Sequence, residues 1–304
     1  MVWLYLWVFG SFVAGIVLAV VWRLIWGRST ALPVGWVSGF TLAAVLLALL
    51  GEIVTRVLGV PFLLPVEAPV PVRVWYVDNR FAVPVLLGIL GVALLAIPVR
   101  ARGGRGAAEL TRRSLVSFAR ARWFVAPGTV LALVLLLTIL AGAASEPDPT
   151  TGRYTAYSVD LGQYSMGTSI YGWFYSVPAM ISVGILLVVA IVGMSLVARP
   201  ALAEDRELDI RVRTVRTRNI VTAATGALLL HLGQVFSSLA ATASIRSTMS
   251  TSEGPVSFWT TFSALQPALV IASLLCAATG VALWASVALS AVPSRRQVPV
   301  AVEP

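Results

Sequence analysis

Four side chains carry most of the chemistry this sequence could do inside its apolar runs. Glu52 and Arg56 lie four residues apart toward the end of the run 36–58, and His231 and Gln234 lie three apart inside the run 219–242. Those spacings put each pair on one face of a helix. A carboxylate beside a guanidinium in hydrocarbon can hold a cation or a proton, or it can be a structural ion pair. A charge at the bilayer centre costs roughly 2.5–3.5 kcal/mol on insertion scales, so pairing and a position near a span end both favour Glu52 staying charged. His231 is the only histidine. Counted from a boundary near Asn219 at about 1.5 Å per residue, it sits roughly 18 Å deep, just past the midplane of an approximately 30 Å core. Gln234, Ser238 and Thr242 continue its face at helical spacing. This stripe points into a bundle rather than at lipid. It lines a small cavity opening outward, or it makes interhelical hydrogen bonds, each typically worth under about 2 kcal/mol; the second reading makes His231 a polar packing residue.

Other chemistry is excluded by residues the chain lacks. One histidine cannot ligate a haem from both sides, there is no HExxH, and Cys276 is the single cysteine, inside an apolar run. No intrachain disulfide and no cysteine-based metal site follow from that count. All 22 basic residues are arginine, so a retinal Schiff base and a Walker A phosphate loop both lack their lysine. The run 219–242 that holds His231 has no GxSx motif to supply a serine nucleophile beside it. Neither a cofactor nor a metal is expected, and an enzyme is not.

The elements that must position these residues follow from hydropathy. Of the 304 residues 58% are hydrophobic and 12% charged, with mean hydropathy +0.90; a soluble domain carries about a quarter charged residues. A crossing helix needs about 20 apolar residues, and such runs lie near 3–22, 36–58, 82–99, 125–144, 176–198, 219–242 and 264–291. Backbone polar groups in lipid must be satisfied within each segment, and the alternation of barrel strands is absent, so the runs are expected to be helices. The expected fold is an all-α polytopic bundle of about seven helices in one integral membrane domain covering 1–304. The first run has no basic residue before it and Arg23 and Arg28 after it, which argues against a cleaved signal peptide. Seventeen arginines fall in 23–35, 99–124, 199–218 and the tail after 292, against Arg73, Arg80, Arg153 and Arg246 in the alternate loops. Arginine excess marks the cytoplasmic side, giving an outside N-terminus and a cytoplasmic C-terminus in a bacterial cytoplasmic membrane. The same distribution accounts for the net charge of +9 without nucleic acid; the remaining partner surface is anionic lipid.

Between the spans, "AAELTRRSLVSFARARW" has Leu115, Phe118 and Ala119 on one side, the pattern of an interfacial helix. In "EDRELDIRVRTVRTRN", Leu208, Val212 and Val215 carry span six helically out of the membrane. Its arginines fall on several faces before the span and read as solvated interfacial residues, not as a voltage sensor. "GRYTAYSVDLGQYSMG" can pair as a hairpin. Tyr171, Trp173, Phe174 and Tyr175 follow it, either as an interfacial aromatic belt or as a ligand-contacting lid. Pro61, Pro65, Pro69 and Pro71 predict a stiff, extended outer loop. Small residues at Gly35, Gly39 and Ala43, with Gly51 beyond, and at Ala264, Ala268, Ala272, Cys276 and Gly280 predict packing seams on spans two and seven.

On "YGWFYSVP" entering span five and "ARPALAEDRELDIRVRTVRTRNIV" leading into span six, the chain resembles uncharacterised multipass membrane proteins of actinobacteria. The resemblance implies a place beside ABC-type transport systems and assigns no functional residue. Two functions follow. One is a non-enzymatic transport- or envelope-associated component, with dry packing between spans two and six. The other is a stand-alone small-solute transporter or ligand sensor, with Glu52, Arg56, His231 and Gln234 around a cavity between those spans.

Overall fold

The structure, a computed structural model, describes residues 2–26, 32, 35–60, 69–97, 118–161, 164–198, 206–251 and 254–292. Six long helices correspond to six of the expected spans: α1 (Val2–Trp26), α2 (Trp36–Leu58), α5 (Val125–Ala143), α6 (Trp173–Ala198), α7 (Arg206–Ala243) and α8 (Gln266–Ser290). Each is long and apolar enough to cross a membrane, and each satisfies its own backbone, as hydrocarbon requires.

The third expected span is different. In place of 82–99 stands the short helix α4 (Val83–Ala96), preceded across an 87° bend by α3 (Val70–Asn79), which lies in the expected outer loop. Fourteen residues of α4 at about 1.5 Å each reach roughly 21 Å, too short for the apolar core alone. The expected extended loop is also helical from Pro69 onward. Pro69 is the cap of α3 and Pro71 lies in its first turn, where a missing N–H costs nothing. Pro84 has the same role in α4. Pro61 and Pro65 lie outside the described residues, as does most of the expected interfacial helix at 107–123; residues 118–120 and the 3-10 turn Ala121–Phe124 leading into α5 belong to the described chain.

Two hairpins stand at one end of the bundle, called here the hairpin end. Strands β1 (Glu146–Pro147), β2 (Tyr154–Leu161) and β3 (Tyr164–Ser169) form one antiparallel sheet, pairing Ala156 with Ser169 and Asp160 with Ser165. This is the hairpin read from the sequence. A second, β4 (Arg246–Thr251) with β5 (Gly254–Trp259), pairs Arg246 with Trp259. Gly254, at φ 122°, begins β5 in a conformation that favours glycine. The hairpins are joined through the Tyr157 hydroxyl and Thr261 Oγ1, 2.7 Å apart.

Helix α7 is the hub, packed on α4, α5, α6 and α8. Its span is 72% buried, against 17–39% for the other five, although it is the least apolar of the six. Its polar groups are therefore kept from lipid, the arrangement intramembrane polar residues demand. The seams that let helices approach differ from those expected. On α2 the buried face includes Ser38, Thr41, Ala44, Ala48, Glu52 and Thr55; a Cβ at Gly39 would meet nothing within 4 Å, whereas Gly51 does lie close against Leu87 of α4. Ala43 faces outward. Ala264, just before α8, and Ala268 on it are exposed, whereas Gly280 crosses close over Gly226 of α7 and Cys276 lies against Gly233.

The helical extension of α7 beyond the membrane is present, but its arginines are not simply solvated. Arg213 pairs with Asp209 at 2.7 Å and donates to the Val197 carbonyl at the end of α6. Arg216 Nη2 donates to the carbonyls of Leu95 (3.1 Å) and Ile97 (2.7 Å) at the end of α4. Helix C-termini present unpaired carbonyls at the negative end of the helix dipole, and these two arginines cap two neighbouring helices from α7.

Candidate functional site

Glu52 and Arg56 are brought together one helical turn apart. Arg56 Nε and Nη2 each lie 3.0 Å from Glu52 Oε1. Arg56 Nη1 reaches across to α1, donating to the Val8 carbonyl at 2.5 Å and to Ser11 Oγ at 3.1 Å. The guanidinium thus joins α1 to α2, and α1 otherwise packs on α8. Glu52 is buried, and its Oε2 accepts no hydrogen bond among the described residues.

Around this pair lies a cavity of about 580 Å³. Its walls come from the hairpin-end halves of α1, α2, α7 and α8, with Tyr76 of α3 closing one side. Gln234, Ser237 and Ser273 add polar surface; Leu230, Val270 and Leu274 supply apolar surface. A second cavity of about 370 Å³ lies beneath β3 and is lined by Arg80, Phe81, Thr168 and Ser238. Tyr76, Gln234, Ser237 and Ala241 line both, so the two chambers adjoin along these residues.

The polar stripe of α7 divides between packing and cavity. His231 is fully buried and belongs to neither chamber's lining. Its Nδ1 is 2.7 Å from the Phe81 carbonyl, so Nδ1 carries the proton and donates. Phe81 stands in the bend between α3 and α4. His231 therefore holds the bend between α3 and α4, and the Tyr171 ring lies edge-on to it at 6.1 Å. Gln234, one turn on, lines both chambers, and Thr242 Oγ1 donates to the Ser169 carbonyl at 2.7 Å, tying α7 to β3.

The three loop aromatics have three environments. Tyr171 is fully buried and stacks on Phe81 at 4.6 Å. Trp173 is exposed on one face and covers Gly142 of α5 with the other. Tyr175 lies 5.3 Å from Phe81 and under the guanidinium of Arg80, also at 5.3 Å. None of the three lines either chamber.

Arg80, Tyr76 and Ser237 are the site residues that sequence reasoning passed over. Arg80 was read as a topological charge, yet its guanidinium lies over Phe81 (4.8 Å) and its Nε is buried without a hydrogen bond. The signal available in the sequence was its position: an arginine immediately before an apolar run, between Asn79 and Phe81. Among the described residues no group of three or more His, Cys, Asp or Glu side chains could hold a metal ion. No family model, no curated protein and no solved structure matches this chain.

Proposed function

We propose that this chain is a multipass membrane protein that binds a small solute within the bundle, as a stand-alone transporter or ligand sensor. The observation that carries this reading is the cavity joining α2 to α7, with Glu52 and Gln234 on its walls. Binding sites are typically apolar concavities of about 300–1,000 Å³ with a few convergent polar groups, and this cavity has that size and make-up. The alternative, a companion subunit of an ABC-type transport system, carried the expectation of dry packing between these helices. The arginine distribution supports a bacterial cytoplasmic membrane with the hairpins outside.

Accessibility tests the reading. In a Cys276→Ala background, Ser237→Cys is expected to react with a membrane-impermeant thiol reagent added to the outside of intact cells. A cysteine at 237 that reacts from neither side would overturn it; one that reacts only from the inside would reverse the orientation.

A further inference from the structure

The two chambers differ in what they lack. In the chamber beneath β3, Arg80 has no ion pair among the described residues. Asp78, two residues away, is held by Arg153 at 3.1 Å. The guanidinium is partly withdrawn from solvent against Phe81 and Tyr175, and hydroxyls of Thr168, Ser237 and Ser238 share its chamber. A desolvated guanidinium among hydroxyls is suited to a carboxylate or phosphate.

The chamber around Glu52 has the opposite deficit. Two N–H groups of Arg56 go to Oε1, and another serves Val8 and Ser11. Oε2 of Glu52 and Oε1 of Gln234 are both buried acceptors with no donor among the described residues. An unpaired buried acceptor costs about 1–3 kcal/mol, more when charged, so a bound group with N–H donors would gain by meeting them. A simple anion at Arg80 would leave Glu52 Oε2 and Gln234 Oε1 without a donor among the described residues, and an inorganic cation would leave Arg80 without an ion pair there.

We infer that the chambers take the two ends of one small zwitterion, its anionic group at Arg80 and its amine N–H donors at Glu52 and Gln234. The inference rests on the ligand-binding reading above and specifies its chemistry. Two sources share that chemistry: a free amino-acid-like solute and the phosphoethanolamine headgroup of a lipid.

The experiment uses the full chain in phosphatidylglycerol nanodiscs, with binding read by equilibrium dialysis and by the shift in thermal unfolding midpoint. The soluble probes are glycine, leucine and O-phosphoethanolamine as zwitterions, acetate as anion and ethylamine as cation. At least one zwitterion is expected to bind about ten-fold or more tightly than acetate or ethylamine. Arg80→Gln should lose that advantage and Arg80→Lys should recover part of it. Glu52→Gln should weaken the zwitterion and spare acetate; Gln234→Leu repeats that arm without touching the ion pair, should Glu52→Gln not fold. In the lipid arm, native mass spectrometry compares retention of phosphatidylethanolamine, phosphatidylcholine and phosphatidylglycerol. Preferential retention of phosphatidylethanolamine, whose amine has N–H donors where that of phosphatidylcholine has none, would support the proposal with the headgroup as source. Equal binding of acetate or ethylamine, indifference to Arg80→Gln, or no soluble zwitterion bound and no preference for phosphatidylethanolamine would each overturn it. If it is overturned while cysteine 237 stays reactive, the cavity reading survives; if cysteine 237 is also unreactive, both fall.

Discussion

Helix α7 is packed in two different ways along its length. In the half away from the hairpins it is sealed onto α8: Gly226 and Gly280 let the backbones cross closely, Trp284 Nε1 donates to the Ala223 carbonyl at 2.9 Å, and Asn219 Nδ2 donates to Ser290 Oγ at 2.8 Å. In the half toward the hairpins the same helix turns Gln234 and Ser237 into a cavity opposite Glu52. Small residues bring helices together where apolar solvent offers no driving force of its own. Where α7 instead carries polar side chains facing an ion pair, α2 stands across a cavity, although Gly233 still keeps α8 close and accepts from Ser273 Oγ at 2.8 Å. One helix therefore serves as a rigid seam and as the wall of a site.

The largest break in this comparison is expected at the seam. A Cβ at Gly226 would lie 2.6 Å from the Trp284 ring and 3.1 Å from the Gly280 carbonyl. Overpacking a well-filled core costs typically about 1–3 kcal/mol and sometimes more, and here one obstacle is backbone. Gly226→Leu should leave little folded protein, as read by size-exclusion profile and yield after detergent extraction. Ser237→Leu, on the cavity half of the same helix, should leave both nearly unchanged. Equal damage from the two would mean that the halves are packed alike.

The next effect tests the ion pair. Removing one partner of a fully buried pair costs about 3–5 kcal/mol. Arg56 would keep Val8 and Ser11, so Glu52→Ala should cost less, about 2 kcal/mol. The double variant with Arg56→Ala should be less destabilised than the sum of the single changes. Thermal midpoints over a double-mutant cycle measure this coupling, and additive changes would contradict the pairing.

The outline of this architecture was legible because a hydrocarbon core restricts what a chain can do: long apolar runs became α1, α2, α5, α6, α7 and α8. Which face of each helix is buried was less legible. Gly39 and Ala43 of α2 look like a seam by spacing, yet the buried face begins at Ser38 and Thr41 and continues to Glu52, and of the expected residues Gly51 is the one against a neighbour. A small-residue motif records that close approach is allowed, not that a neighbour is there. The bend between α3 and α4 was hidden because a hydropathy window cannot see an 87° change of direction. Glu52, Arg56 and Gln234 were found by their cost in lipid. Arg80 escaped the same logic because an arginine at a span end has an ordinary topological explanation.

His231 stands between the two regimes, and its replacement should have a modest effect. Its one hydrogen bond, to Phe81, holds the bend rather than the cavity. Hydrogen bonds between membrane helices average well under about 2 kcal/mol. His231→Leu should cost about 1 kcal/mol in thermal stability, and His231→Asn, which can donate to the same carbonyl, less. Ligand binding should survive in both once folded. A folded His231→Asn protein that binds no ligand would move His231 from the scaffold into the site.

The smallest effect belongs to the outer surface, where the comparison is between the bundle and its cap. Asp148, in the turn between β1 and β2, accepts at Oδ1 from the backbone N–H groups of Thr150 (2.9 Å) and Thr151 (2.7 Å) and from both their hydroxyls. Those hydrogen bonds, that of the Thr150 hydroxyl foremost, hold its carboxyl down from 3.8 to about 2. A depressed folded value means that the turn gains stability above the ordinary carboxylate range and loses it as pH falls through about 2. The Asp148 side chain bonds within the turn, whose link to the helices runs instead through Arg153, paired with Asp78 at 3.1 Å and lying 4.3 Å over Phe174. Asp148→Asn at neutral pH should speed amide exchange at residues 148–153 while the thermal midpoint of the bundle stays within about half a degree, as expected of a surface change away from the core. A shift in the midpoint larger than that of His231→Asn would show that the cap and the helical bundle unfold together, and the sheet would then count as part of the scaffold around the cavity.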